Sequence, residues 1–191
     1  MRGQVTVDST VDRRVRRSRA ALFDAAVRVV SERGTTAVSL TELAETADLS
    51  RQAVYSHFTD RDALIVAAGV DLIEREVFPQ LIDCDDQDWR AMTLLATCHL
   101  ARYRQFYRAV GTGPCAYPAK QAVLAAVAAL RDRPGGHLAL ASGDDATFVV
   151  GGCFSVFTQW LDESDDPLDP EAMADRLLAM ADRLLGGMLS D

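Results

Sequence analysis

The chain has 191 residues, 49% of them apolar and 25% charged, with 6 prolines and 12 glycines, a composition that excludes a disordered or fibrous polypeptide and leaves room for one large domain or two small ones. A formal net charge of −8 looks wrong for a nucleic-acid binder until it is divided: residues 1–68 carry 10 arginines against 9 acidic residues, the remainder 10 basic against 19 acidic. No apolar run of about 18 residues occurs, since even the richest stretch, 148–161, is broken by Gly151, Gly152, Ser155, Thr158 and Gln159, which argues against a membrane-spanning helix.

Along the chain, residues 1–11 are expected to form a disordered arm. The basic start lacks an apolar stretch behind it and a cleavage pattern, so it reads as no secretion signal and a cytoplasmic location is expected. Five arginines (Arg13, Arg14, Arg16, Arg17 and Arg19) fall within seven positions, an arrangement suited either to phosphate neutralisation or to a solvated helix face. A first helix is predicted over 12–33, from the spacing of Val15, Leu22, Ala26, Val29 and Val30, with Asp12 to cap it and Gly34 to end it. Ser39-Leu40-Thr41-Glu42 is a capping box, so a short second helix starts there, carries Leu40, Leu43, Ala44 and Ala47 inward and stops at Asp48, which tolerates a left-handed turn. Ser50 caps a third helix running through Phe58, and Asp60 caps a fourth.

Two helices joined by a four-residue turn form a helix-turn-helix, whose second helix enters the major groove. With Val54 and Phe58 inward, Arg51, Gln52 and Ser56, and further round Tyr55 and His57, face outward. Arginine can read guanine and glutamine adenine, so a helix opening Arg-Gln is equipped for direct readout; a polar surface helix is the bland alternative.

The stretch LTELAETADLSRQAVYSHFTDRDAL resembles the DNA-binding core of the TetR (tetracycline-repressor-like) transcription regulators. The likeness covers about residues 12–68 and rests on the alanine-rich first helix ending at Gly34, on Leu43-Ala44, on Ala47 through Ser50, and above all on Tyr55-x-His57-Phe58 followed by residues 60–64. Asp48 stands where that family usually has glycine, and Arg61 where it usually has lysine. The resemblance implies that Thr41, Tyr55, His57 and Arg61 hold phosphates, that Arg51 and Gln52 read bases, that Ala53 packs close to the DNA, and that Ser56 contributes a backbone contact. It implies an all-α fold: a three-helix helix-turn-helix domain over 12–64, then a helical effector-binding and dimerisation domain over 65–191.

The residues beyond 64 also read as helical, with segments expected at 65–81, 86–110, 119–132, 144–161 and 170–189, separated by loop signals at Pro79, at Asp83-Cys84-Asp85-Asp86, over 111–118, at Pro134-Gly135-Gly136 and at Asp165-Asp166-Pro167. The last helix shows Met173, Leu177, Met180, Leu184 and Met188 in one stripe with further apolar residues beside it, and the preceding helix is apolar almost all round. Such a pair suits a four-helix bundle with a second copy, in which Gly151 and Gly152 permit close approach; a purely intramolecular core is the alternative. A two-fold homodimer would spread its reading helices by roughly 34–36 Å and call for a palindromic double-stranded operator.

On the 86–110 helix, Met92, Leu95, Ala96, His99, Tyr103, Phe106 and Val110 share a face opposite Arg90, Thr97, Arg102, Arg104 and Arg108. The inward His and Tyr are either hydrogen-bonded core residues or the wall of a ligand pocket. TetR-like proteins bind small effectors in this domain, and His99, Tyr103, Phe106, Tyr107, Tyr117, Phe148 and Gln159 are the candidate ligand contacts, for an aromatic or amphipathic molecule rather than a strongly anionic one. The functional expectation is a repressor released by a small molecule; a regulator without such a ligand, controlled by redox state or a partner, or an activator, is the alternative. Cys84, Cys98, Cys115 and Cys153 have neither the spacing of a metal site nor that of a disulfide framework, and no cofactor motif or metal site is read. An enzyme using His99 with Cys98 or Cys115 is disfavoured, because Cys98 and His99 diverge by about 100° on a helix and Cys115 lies in no recognisable nucleophile turn.

Overall fold

The computed structural model describes residues 5–58, 60–84, 88–132, 143–163 and 167–185, and these are helices and connections with no strand among them. Helix α1 spans Val5–Arg33, α2 Leu40–Thr46, α3 Arg51–Tyr55, α4 Arg61–Glu76, α5 Phe78–Asp83, α6 Trp89–Arg102, α7 Arg104–Thr112, α8 Ala116–Arg131, α9 Gly143–Leu161 and α10 Pro170–Leu185. The expected loop at Pro134-Gly135-Gly136 and the residues Met188 and Leu189 lie outside the described residues.

The head forms by the local signals its sequence carries. Helix α1 begins at Val5, ahead of the expected Asp12, because no proline or glycine interrupts the chain after Gly3; it therefore takes in residues 5–11 of the expected arm. It ends where Gly34 adopts φ +63° and returns its amide to the Val30 carbonyl at 2.9 Å. Ser39 accepts from the Glu42 amide at 3.0 Å and Ser50 from the Ala53 amide at 3.2 Å, which starts α2 and α3. Between them Asp48 takes φ +54°, the left-handed residue of the turn.

Two expected long helices are broken. The first stops at Val77 and restarts as α5, since Pro79 has no amide to continue the ladder but is tolerated in a first turn. The second is divided at Tyr103 into α6 and α7, with Tyr103 (φ −107°, ψ +31°) closing one and opening the other. Helix α6 is also covered by α10, so Thr97, expected outward, is fully buried, and its hydroxyl returns to the Leu94 carbonyl at 3.1 Å. Arg104, also expected outward, is half-buried and donates to the backbone carbonyls of Leu161 and Glu163.

The largest core cluster ignores the boundary at residue 64. Leu22, Phe23, Ala26 and Val30 of α1, Leu43 and Ala44 of α2, Val54 of α3 and Leu64, Ile65 and Ala68 of α4 are continuous with Phe106, Ala109 and Val110 of α7, Cys115, and Ala119 of α8. A second cluster joins Trp160 and Leu161 of α9 to Leu168 and to Met173 of α10; a third joins Phe78 to Ala126 and Leu130. Close approach within the chain occurs at glycines the sequence reading passed over. A Cβ on Gly69 would stand 3.2 Å from the Phe106 ring, and one on Gly111 would stand 3.0 Å from Thr158 Oγ1. Gly151 and Gly152 face open space in the single chain.

Candidate functional site

Helix α3 is only five residues long, and a helix that short has no stability of its own. It is anchored by fully buried Val54 and continued by a turn in which the Phe58 amide reaches the Val54 carbonyl at 2.9 Å and the Phe58 ring meets Phe23 at 5.9 Å. Anchoring from beneath leaves the other side free: Arg51, Gln52, Tyr55, Ser56 and His57 are all exposed, and Ala53 is half-buried. The Ser56 hydroxyl donates to the Ala53 carbonyl at 2.7 Å, so its side chain is locally engaged.

The remaining DNA-facing candidates are more constrained than their residue types suggest. Thr41 is half-buried in the first turn of α2. Arg61 is half-buried and donates to Asp62 at 2.7 Å, a hydrogen bond that holds its guanidinium charged. Arg51 lies 3.6 Å from Glu45 of α2, but with both side chains about two-thirds exposed that pair is weak and would exchange for a stronger acceptor. Glu45 is the neighbour that sequence reasoning missed, because it reaches Arg51 across the turn rather than along one helix. Of the arginine cluster, Arg13, Arg14, Arg16, Arg17 and Arg19 are exposed, and Arg19 also lies over the Phe23 ring at 5.0 Å.

Beyond the helix-turn-helix, α4, α6 and α7 bring four of the candidate ligand contacts together. His99 Nε2 is 2.8 Å from the Tyr107 hydroxyl, Phe106 packs edge-on to Tyr107 at 5.2 Å, and the His99 and Tyr103 rings are 5.1 Å apart. The group that organises them was not anticipated: Glu76, at the end of α4, accepts from the Tyr103 hydroxyl at 2.7 Å and places its other oxygen 3.4 Å from His99 Nδ1. Glu76 and His99 stand 23 positions apart in the sequence, and only packing joins them. Burial holds the imidazole below its ordinary pKa and outweighs the opposing pull of Glu76. A neutral ring facing a carboxylate at Nδ1 keeps its proton there, so Nε2 accepts from Tyr107. Burial also pushes the Tyr107 phenol well above its usual range, and burial together with the Glu76 contact raises Tyr103. Both hydroxyls therefore stay protonated donors. Tyr117, Phe148 and Gln159 are not brought to this cluster: the first two are 67% and 69% exposed, and Gln159 is also exposed.

Cys115, expected in a loop, is fully buried where the 111–115 segment meets the head. Its thiol is pushed up by burial and by the Asp62 charge, against a hydrogen bond with Thr36. The four cysteines are free thiols. No described helix is long and apolar enough to cross a membrane.

Residues 22–68 match the family model for bacterial regulatory proteins of the tetR family. The chain is 38% identical over 86 residues to the HTH-type nicotine-responsive transcriptional repressor HdnoR of Paenarthrobacter nicotinovorans, a match covering 44% of this chain and 41% of that protein. The similarity thus spans about two fifths of the curated relative's length. In fold the chain is similar to a TetR transcriptional regulator from Rhodococcus sp. RHA1 (TM-score 0.62, 21% identity, covering 86% of this chain and 95% of that one). It is likewise similar to the TetR family repressor AlkX from Dietzia sp. strain DQ12-45-1b (TM-score 0.57, 21% identity, covering 87% and 96%). The exposed face of α3 and the family match fall on the same residues, so residues 22–68 form a helix-turn-helix head of the kind found in bacterial regulatory proteins of the tetR family.

Proposed function

We propose that this protein is a transcriptional repressor that binds a palindromic operator as a homodimer and is released by a small-molecule effector. The observation that carries the reading is α3: a helix held by one buried valine whose Arg51, Gln52, Tyr55 and His57 are all exposed. Arg51 and Gln52 read base edges; Tyr55, His57, Thr41 and Arg61 bind phosphates, Arg61 by exchanging Asp62 for the DNA; Ala53 packs against the groove and Ser56 supplies a backbone contact.

Dimerisation through α9 and α10 is supported by the apolar side chains these helices leave outside: Phe148, Val149 and Leu184 are 69%, 41% and 74% exposed, beside the open backbone of Gly151 and Gly152. An effector is supported by the polar cluster around His99 and Glu76, and the curated relative is itself a nicotine-responsive repressor. Helix α4 runs from the head to Glu76, so it can carry a change at the cluster to the spacing of the two reading helices. Equal spacing in effector-bound and free crystals would overturn that route.

The deciding experiment is selection of bound duplexes from a random pool at fixed salt. Enrichment of two inverted half-sites about one helical turn apart is the expected result. A single unpaired half-site would remove the dimer from the proposal, and failure to enrich any sequence would remove the whole reading.

A further inference from the structure

We propose that Glu76 and the face of Tyr103 form a recognition site for a small organic cation, a protonated amine or amidinium on an apolar frame, and that Arg102 occupies this site in the free protein as a built-in stand-in. The proposal rests on the effector reading above only in taking such a cation as the effector; the site itself is argued from its charges.

Glu76 is mostly buried, its side chain 26% exposed, at the junction of α4, α6 and α7. Tyr103 donates to one of its oxygens and His99 faces the other, which leaves the carboxylate further acceptor capacity. Among the described residues no buried side-chain nitrogen or oxygen lacks a partner, so the site holds no orphaned buried polar group to draw in a neutral ligand. What the site lacks is countercharge. His99 is kept neutral by its burial and offers a dipole only. Arg75, the next residue to Glu76 in the chain, is engaged with Asp24 of α1 at 3.1 Å. That leaves Arg102, whose Nη1 stands 3.7 Å from Glu76 Oε2, beyond hydrogen-bond length, on a side chain that is 71% exposed. Exposed pairs of this kind contribute little, so Arg102 is easily displaced.

The position of its guanidinium shows what the site accepts. Arg102 Cζ lies 5.2 Å from the centre of the Tyr103 ring, so one cation meets a carboxylate and an aromatic face together. A free amine on an apolar frame could make the same two contacts and also lay its frame on the Tyr103 ring, whereas the stem of Arg102 remains in solvent. An anion would be repelled by Glu76, and a neutral isostere in the place of Arg102 would take away the countercharge that Glu76 has in the free protein.

The test uses the full-length protein without DNA, its tyrosine rings carbon-13 labelled, titrated with benzylamine, benzyl alcohol and benzoate. Benzylamine should shift the Tyr103 and Tyr107 ring signals, assigned with Tyr103→Phe and Tyr107→Phe, and the neutral and anionic compounds should not. Arg102→Gln removes the competing cation and should tighten benzylamine binding several-fold; Glu76→Gln should weaken it by about tenfold or more. Tightening at an exposed arginine is an outcome that structural damage does not produce. Absence of benzylamine binding, equal binding of benzyl alcohol, or an Arg102→Gln protein that binds no tighter would overturn the proposal. Because no DNA is present, the two readings fail separately: palindrome enrichment without benzylamine binding sinks only the cation site, and the reverse result sinks only the operator.

Discussion

His99 is neutral because it is buried, and that fact has a sign in pH. The unfolded chain protonates this imidazole near its ordinary value of 6.5, the folded chain only at lower pH. Between those values the unfolded state holds more protons, so the stability His99 contributes is present at neutral pH and is lost as pH falls from about 6.5 toward the folded value. Urea midpoints measured from pH 8 to pH 5 should therefore decline less steeply in His99→Gln than in the parent, and an unchanged slope would show that burial does not hold the ring neutral. On the DNA side, Arg51→Ala should cost about 1–3 kcal/mol at one base position and relax preference there, whereas Tyr55→Phe should weaken all sequences alike. Binding to single-base operator variants separates the two, and a uniform loss in Arg51→Ala would move that residue from base reader to phosphate contact.

At the scale of the element, the reading helix depends on its ends. Five residues cannot sustain a helix unaided, so the Ser50 hydroxyl carries a large share of the local order of α3. Ser50→Ala should cost about 1 kcal/mol in urea denaturation and weaken operator binding, since the loosened turn holds both Arg51 and Gln52. Stability equal to the parent would mean that Val54 and Phe58 alone define α3. The caps at Ser39 and Ser50 and the left-handed turn at Asp48 were legible in the sequence because each depends on a few neighbouring residues. The break at Val77 was signalled by Pro79, although the helix was expected to run on to 81; the break at Tyr103 was not signalled, because the periodicity continues through it while the chain bends so that α7 reaches the largest cluster. Thr97 went from an expected outward face to full burial because α10 packs on α6 as well.

For the whole molecule, α7 is the element that unites the parts. Phe106 is fully buried beneath Gly69 of α4, and Gly111 lies against Thr158 of α9, while Gly113 lies against Thr36 of the head. Phe106→Ala should therefore cost roughly 3–5 kcal/mol and lower the unfolding transition of head and body together; two separated transitions would show that the clusters are independent. The exposed apolar residues of α9 and α10 belong to the same scale. Introducing Phe148→Asp with Leu184→Asp should convert the proposed dimer to monomer in sedimentation velocity with helix content unchanged, because both side chains already lie outside the single-chain core. A mass that stays dimeric would place the interface elsewhere.

The sequence by itself determined the all-α class, the capped helix-turn-helix and the outward face of α3, since helix period, caps and turn residues act over a few positions and are written where they act. It also separated a nearly balanced head from an acidic body. Only the tertiary structure decided which distant residues meet: Glu76 with His99 and Tyr103, Cys115 with the head, Glu45 with Arg51, and one core running past residue 64. Tyr117 and Phe148 looked like pocket walls by type, and packing left them in solvent. Side-chain chemistry is local, but the choice of neighbours follows from how whole helices bury their apolar faces, and no short stretch of sequence carries that information.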